Sequence, residues 1–166
     1  RLFDALHPYA QQFDTVLVDT ASGIGSDMLH LMSAADEVLV VLTPEPTSFM
    51  DAYALTKALA MRGYAGSIGV VTNMVGHPAD GADLFDHFEC VVCQFLTVAP
   101  RHLGTVPFDP FVRRAVFRKT AMLTSFPSAP ATRAIIALAR KLTEAPPMLT
   151  AGGQRFFTRE AEYVAA

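Results

Sequence analysis

The chain has no tryptophan, only two cysteines among 166 residues, and few charges: Asp, Glu, Lys and Arg together make up 17%. Two cysteines supply no disulfide framework. With no secretory signal pattern in the sequence, the expected compartment is a reducing cytoplasm. No apolar run reaches the ~18 residues that a membrane-spanning helix needs. Repeats and low-complexity blocks are missing as well. Lys plus Arg is 13 against 16 for Asp plus Glu, a formal net charge of −3, which argues against a mainly electrostatic nucleic-acid binder. What is abundant is apolar surface: hydrophobic residues are 51% of the chain. That excludes a disordered polymer and suits strands buried on both faces, as in parallel α/β sheets. The length fits one domain or part of a larger one.

Apolar β-branched runs alternate with amphipathic stretches. Val16-Leu17-Val18-Asp19 reads as a buried parallel strand ending in a carboxylate, followed by a small-residue loop over 20–25. A short helix is expected over 26–33, with Ser26 as its N-cap and Met28, Leu29 and Met32 as its apolar stripe. The second strand is 37–42, broken by Thr43-Pro44-Glu45-Pro46. A helix over 48–61 follows, with Ser48 and Asp51 resembling a capping box, Ala52, Leu55 and Leu59 on one face, and Gly63 as its stop. The third strand is 68–72, with Asn73 just past its end and a loop over 76–81. A helix over 82–96 is expected to bury Phe88, Val92 and Phe95. A short fourth strand, 103–106, is closed by Pro107. Pro110 opens a helix near 111–119, and 129–142 forms the last helix. Pro146-Pro147 and Gly152-Gly153 mark a linker before a short tail. Strands alternating with helices through short connections predict an α/β fold, a parallel sheet with crossover helices on both faces.

In such sheets ligands bind beyond the carboxyl ends of the strands. Three strand ends carry residues with usable chemistry. Asp19, followed by Thr20 and two nearby glycines, can hold Mg²⁺ directly or through water, or orient an attacking water. It can equally cap the next loop. Asn73 offers a donor and an acceptor, suited to the edge of a base, or to a local turn. Pro107-Phe108-Asp109 forms the third end. His87, Cys90 and Cys93, spaced by threes on one helix, lack a fourth metal ligand and read as part of that helix's packing. Arg113, Arg114, Arg118 and Lys119 form a local basic cluster, read first as a solvated helix face and second as a partner contact.

These residues resemble a family. Phe13-Asp14-Thr15-Val16-Leu17-Val18-Asp19-Thr20-Ala21-Ser22-Gly23 resembles the D-x-x-x-x-D-T-x-x-G strand and switch II segment of the MinD/ParA-type P-loop ATPases. Ala34-Ala35-Asp36-Glu37-Val38-Leu39-Val40-Val41, with Thr43-Pro44-Glu45-Pro46-Thr47-Ser48, resembles that family's next strand and loop. The longer run TPEPTS..DAYAL, continuing through Asp51-Ala52-Tyr53-Ala54-Leu55, is similar to the flagellar-number regulators of the FlhG/FleN/YlxH branch. Val70-Val71-Thr72-Asn73 and Leu103-Gly104-Thr105-Val106-Pro107-Phe108-Asp109 resemble the two segments that contact the nucleotide base. Val112-Arg113-Arg114-Ala115-Val116, with Pro127-Ser128 and a terminal helix, also resembles that branch. The resemblance covers about 13–142. It implies a three-layer P-loop fold, ATP and Mg as cofactors, Asp19 as the switch II carboxylate that reaches Mg through water, and Gly23 as the glycine that senses the γ-phosphate. Asn73 would contact adenine, and Pro107, Phe108 and Asp109 would line the base pocket, largely by backbone. Glu45 receives no catalytic role. The implied partners are a second copy of the chain when ATP is bound, a flagellar GTPase and flagellar switch proteins.

One departure weighs against the matches. The loop K-G-G-x-G-K-[ST] is absent, and no G-x-x-x-x-G-K-[ST] occurs anywhere in the sequence. With no Met at Arg1, the expectation is the C-terminal portion of a MinD-like domain over 1–150, missing the strand that would lie between 16–18 and 37–42. Such a chain alone is expected to be inactive toward ATP. The tail, 151–166, holds Phe156, Phe157, Tyr163 and Val164 among balanced charges. It reads as a membrane-seeking segment on the inner face of the membrane or as a frayed terminus. Alternatives are a ParA-like partition ATPase, a pilus- or cellulose-associated ATPase, and a non-enzymatic interaction domain that has lost its P-loop. A Rossmann dinucleotide domain is disfavoured, because no G-x-G-x-x-G follows a strand.

Overall fold

A computed structural model describes residues 12–13, 15–21 and 23–144. The tail over 151–166 and the linker before it lie outside the described residues. The elements, in chain order, are α1 (Ser26–Ser33), β1 (Glu37–Leu42), α2 (Pro46–Met61), β2 (Ser67–Val75), α3 (Pro78–Phe95), β3 (Arg101–Pro107), α4 (Pro110–Arg118), α5 (Met122–Ser125) and α6 (Pro130–Glu144). The three strands form one parallel sheet in the order β1-β2-β3. The α/β expectation holds, and each crossover runs through a helix, as parallel pairing demands.

Side-chain alternation divides the sheet into two faces. Val38, Val40 and Leu42 of β1 stand opposite Ile68, Val70 and Thr72 of β2. They meet Ala52 and Leu59 of α2 and Phe85, Phe88 and Val92 of α3, with Leu29 of α1 at the margin. Phe88, Leu59 and Val70 are fully buried. On the other face α6 covers β3: Leu138 lies against Gly104, and the Lys141 ammonium donates to the Leu103 carbonyl at 2.7 Å. Toward β1 this second face thins out, leaving Val41 55% exposed.

The expected strand at Val16-Leu17-Val18 does not form. These residues are irregular, and Leu17 is 80% exposed. The physical reason is pairing: a strand is stable only with a ladder partner, and among the described residues β1 pairs on one side only, with β2. An apolar run cannot substitute for that missing edge.

Several boundaries are set differently from the sequence reading, each by local hydrogen bonding. Gly25, not Ser26, is the N-cap of α1, and the Ser26 hydroxyl turns to Asp27 at 3.4 Å. Helix α2 begins at Pro46, because proline suits a first turn. Its N-cap is Glu45, and the Ser48 hydroxyl accepts from the Thr43 N–H at 3.0 Å instead of closing a box with Asp51. The expected loop over 76–81 is shorter: α3 starts at Pro78, and Asp80 accepts from the His77 N–H at 2.9 Å across the helix start. Phe88 and Val92 are buried as expected, whereas Phe95, at the helix end, is 64% exposed. The short α5 carried no recognisable periodicity. Gly63 closes α2 at φ +67, the left-handed turn that a helix stop requires.

Candidate functional site

The carboxyl end of the sheet is where the candidate residues gather. Asn73 lies inside β2, not beyond it, because β2 runs on to Val75. It stands opposite Val106, and Val75 stands opposite Pro107, with a register break between Asn73 and Val75. The Phe108 N–H then donates to the Val75 carbonyl at 2.8 Å. Two segments separated by thirty residues are thereby fastened side by side. At the break, Met74 takes a left-handed backbone, φ 59, and its N–H donates to the Asn73 side-chain oxygen at 2.9 Å. Met74 and Phe108 are exposed, at 49% and 58%. The same edge carries the 43–48 turn, where a hydrogen bond from the Thr43 hydroxyl, with a backbone one second, holds the exposed Glu45 carboxyl below the usual range.

Asp109 has a different task. Its carboxylate is 5% exposed and accepts from the Phe111 N–H at 2.9 Å and from the Ala131 N–H at 3.1 Å. One side chain therefore caps α4 and ties the start of α6 to the end of β3. With both oxygens committed, the side chain of Asp109 reads no ligand. What remains available at 107–109 is backbone and the Phe108 ring.

Asp19 and Gly23 are exposed. No hydrogen bond or ion pair among the described residues brings either to Asn73 or Phe108. Gly23 sits at φ +134 with open space where a side chain would stand, so its backbone, rather than close packing, demands glycine. Among the described residues no group of three His, Cys, Asp or Glu side chains is placed to hold a metal. Cys90 and Cys93 are exposed free thiols, not the buried hydrophobes the sequence suggested, and the His87 ring packs on Phe49 at 5.2 Å. Two members of the basic cluster are also occupied: Arg114 lies over Phe111 at 5.1 Å and Arg118 over Phe126 at 5.3 Å.

Sequence reasoning missed a polar cluster beneath α3. The hydroxyls of Thr72 and Thr105 are 2.8 Å apart, and the Nε2 of His102 lies 3.2 Å from the first and 3.4 Å from the second. The imidazole stacks on Phe85 at 4.8 Å. Desolvation is the main cause that pulls the His102 pKa down, and the Lys141 charge adds to it; a backbone contact at Gly104 and the Asp86 charge oppose it. Gly81 of α3 sits on this cluster: a side chain there would run into Thr105 and reach within 2.8 Å of the Thr72 hydroxyl. The alternation of β2 and β3 could have flagged Thr72, Thr105 and His102 as core-facing polar residues. Nothing local could have flagged Met74, whose backbone is set by the register break.

A three-stranded parallel sheet with the base-side segments at its carboxyl edge is a MinD-like arrangement. The MinD cell-division ATPase of Pyrococcus furiosus shares the fold, with a TM-score of 0.65 at 21% identity over 87% of this chain and 58% of that one. No protein-family model matches the chain. Among curated proteins, the antiactivator FleN of Pseudomonas aeruginosa is 38% identical over 157 residues, 94% of this chain and 56% of FleN. An uncharacterized ATP-binding protein of Methanocaldococcus jannaschii is 31% identical across 86% of this chain and 51% of its own length. The flagellum site-determining protein YlxH of Helicobacter pylori is 28% identical across 62% of this chain and 35% of YlxH. The chain belongs to the MinD/ParA-type P-loop ATPase family and is related to its FlhG/FleN branch. It spans about half the length of the FleN and M. jannaschii relatives, and less of YlxH.

Proposed function

We propose that this chain is the base-reading part of a MinD/FleN-like, ATP-dependent switch that regulates flagellar number or placement. The observation that carries the reading is the pairing of Asn73 with the 106–108 segment at the carboxyl edge of the sheet. An amide bearing both a donor and an acceptor stands there beside a free backbone turn and two exposed apolar side chains. That combination suits a flat heteroaromatic base, held by one polar edge and two apolar neighbours. The likeness to FleN and YlxH supports the flagellar assignment, and the ATP-binding relative supports the nucleotide.

The described residues fit the base and do not by themselves fit the phosphates or Mg. No P-loop motif is in the sequence, and Asp19 stands exposed without a second carboxylate. The chain alone therefore lacks the groups that hold and polarise a transferring phosphoryl group. Within the whole switch, Asp19 and Gly23 would serve the phosphate side, with Mg reached from Asp19 through water. Dimerisation on ATP, contacts with a flagellar GTPase and switch proteins, and peripheral membrane contact through 153–166 belong to that whole-protein reading. Among the described residues no helix is long and apolar enough to cross a membrane.

The test is nucleotide binding and turnover. The 166-residue chain is expected to show no ATP hydrolysis above a matched blank. The complete product of the gene is expected to bind Mg-ATP, and Asn73→Ala in it to weaken binding about tenfold, the value of one good base contact. Turnover by the 166-residue chain would overturn the division of labour. No nucleotide binding by the complete product would leave the non-enzymatic interaction domain as the standing reading.

A further inference from the structure

The Asn73 amide is not free to rotate. We infer that the left-handed backbone at Met74 is a positioning device that fixes the orientation of this amide, and that the fixed amide selects a purine carrying a 6-amino group over one carrying a 6-oxo group. The inference rests on the reading of Asn73 as a base contact.

Three observations meet at this point. The Met74 N–H donates to the Asn73 side chain at 2.9 Å. A backbone N–H can only donate, so the atom facing it must be the carbonyl oxygen Oδ1 and not the amide nitrogen. Met74 holds φ 59, an uncommon value for a residue with a side chain, and the register break between Asn73 and Val75 imposes it. The break is itself pinned on its far side by the Phe108 N–H donating to the Val75 carbonyl at 2.8 Å. Amide orientation, backbone conformation and strand pairing thus depend on one another.

The chemical consequence follows from the donor and acceptor pattern of the bases. Oδ1 has two lone pairs, one taken by Met74, which leaves one acceptor beside the two Nδ2 donors. A 6-aminopurine matches this order: its amino group donates to Oδ1 while a ring nitrogen accepts from Nδ2. A 6-oxopurine would set its own oxygen against Oδ1, lone pair against lone pair. An unrestrained asparagine escapes by turning its amide over. Here the turn would face the Met74 N–H with an NH₂ group and leave two donors opposed.

The experiment compares ATP and GTP affinities, each with Mg, in the complete gene product carrying Asn73→Ala, Met74→Val or Met74→Gly. A β-branched residue is a steric outlier at positive φ, so Met74→Val drives residue 74 out of the left-handed region, and the peptide plane carrying its N–H rotates with it. Glycine keeps that conformation without strain. The expected result is a fall of about tenfold in the ATP-to-GTP affinity ratio for Met74→Val, and a ratio within about twofold of the unsubstituted protein for Met74→Gly. A merely structural role would weaken both nucleotides together. An unchanged ratio in folded Met74→Val, with Asn73→Ala still weakening ATP, overturns this inference and leaves the base contact standing. If Asn73→Ala leaves ATP affinity untouched, the base contact fails and the inference with it. Should Met74→Val not fold, the Asn73 side-chain amide resonances of the unsubstituted protein decide: a shift with ADP and none with GDP supports the selection, and equal shifts with both overturn it.

Discussion

Replacing Asp109 by alanine tests whether this residue belongs to the scaffold or to the ligand. The carboxylate is 5% exposed and satisfies two backbone donors, at Phe111 and Ala131. Losing an N-cap acceptor costs ~1 kcal/mol. Ala131 is fully buried, so its N–H would be left without water or partner, a further ~1–3 kcal/mol. The sum is about 2–4 kcal/mol. For a domain of this size each kcal/mol moves the midpoint by ~2–4 °C, so Tm should fall by about 5–15 °C. Asp109→Asn keeps one acceptor and should lose roughly half as much. Urea titration followed by far-UV circular dichroism gives the free energy on the 166-residue chain. A loss below ~0.5 kcal/mol for Asp109→Ala would refute the capping argument and return the side chain to the candidate site.

Three further predictions follow from packing and titration. Gly81→Ala should destabilise by ~1–3 kcal/mol in the same titration, because the new methyl meets Thr105 and Thr72 where the helix already touches the sheet. Phe88→Ala should cost ~3–5 kcal/mol, whereas Phe95→Ala, at a 64% exposed position, should stay within ~0.5 kcal/mol. The pH dependence of stability should carry a His102 contribution. Its folded pKa is lowered, mainly by desolvation, so below the ordinary histidine range the unfolded chain binds the proton more readily than the folded one. Stability from this source is therefore full above about pH 6.5 and declines as pH falls from there toward the folded pKa. His102→Gln should flatten that part of the profile, and an unchanged slope between pH 5 and 7 would remove His102 as its source.

The fold was legible wherever the signal was local and repeated. β1, β2 and β3 are apolar runs of the expected length, and α1 coincides with 26–33 because Leu29 and its stripe recur at helical spacing. The failures share a cause: they concern properties that depend on a distant partner. Val16-Leu17-Val18 has the composition of a strand and lacks the neighbour that would make it one. Ser26 and Ser48 are good N-caps by type, yet Gly25 and Glu45 occupy those positions, and the Ser48 hydroxyl accepts instead from Thr43. Asn73 looked like the residue after a strand because Asn favours turns, whereas pairing with β3 carries β2 two residues further.

The site divides along the same line. Asn73 and 107–108 come together because two strands pair in register, a requirement their apolar patterns already encode. Asp109 was drawn to the site by proximity to those residues, and the structure shows its charge spent on two helix starts. Asp19 and Gly23 carry the residue types of a phosphate sensor, but no paired strand holds them. A switch segment acts by moving against a fixed frame, and its position is worth little until the frame is present. The base side, built on the interior of the sheet, is rigid from this chain alone. The phosphate side depends on contacts that these residues do not supply. Base recognition by this chain should consequently survive as a weak, hydrolysis-independent binding of ADP at Asn73, detectable by amide shifts. Their absence in the folded chain would mean that even the base edge needs the phosphate frame to form.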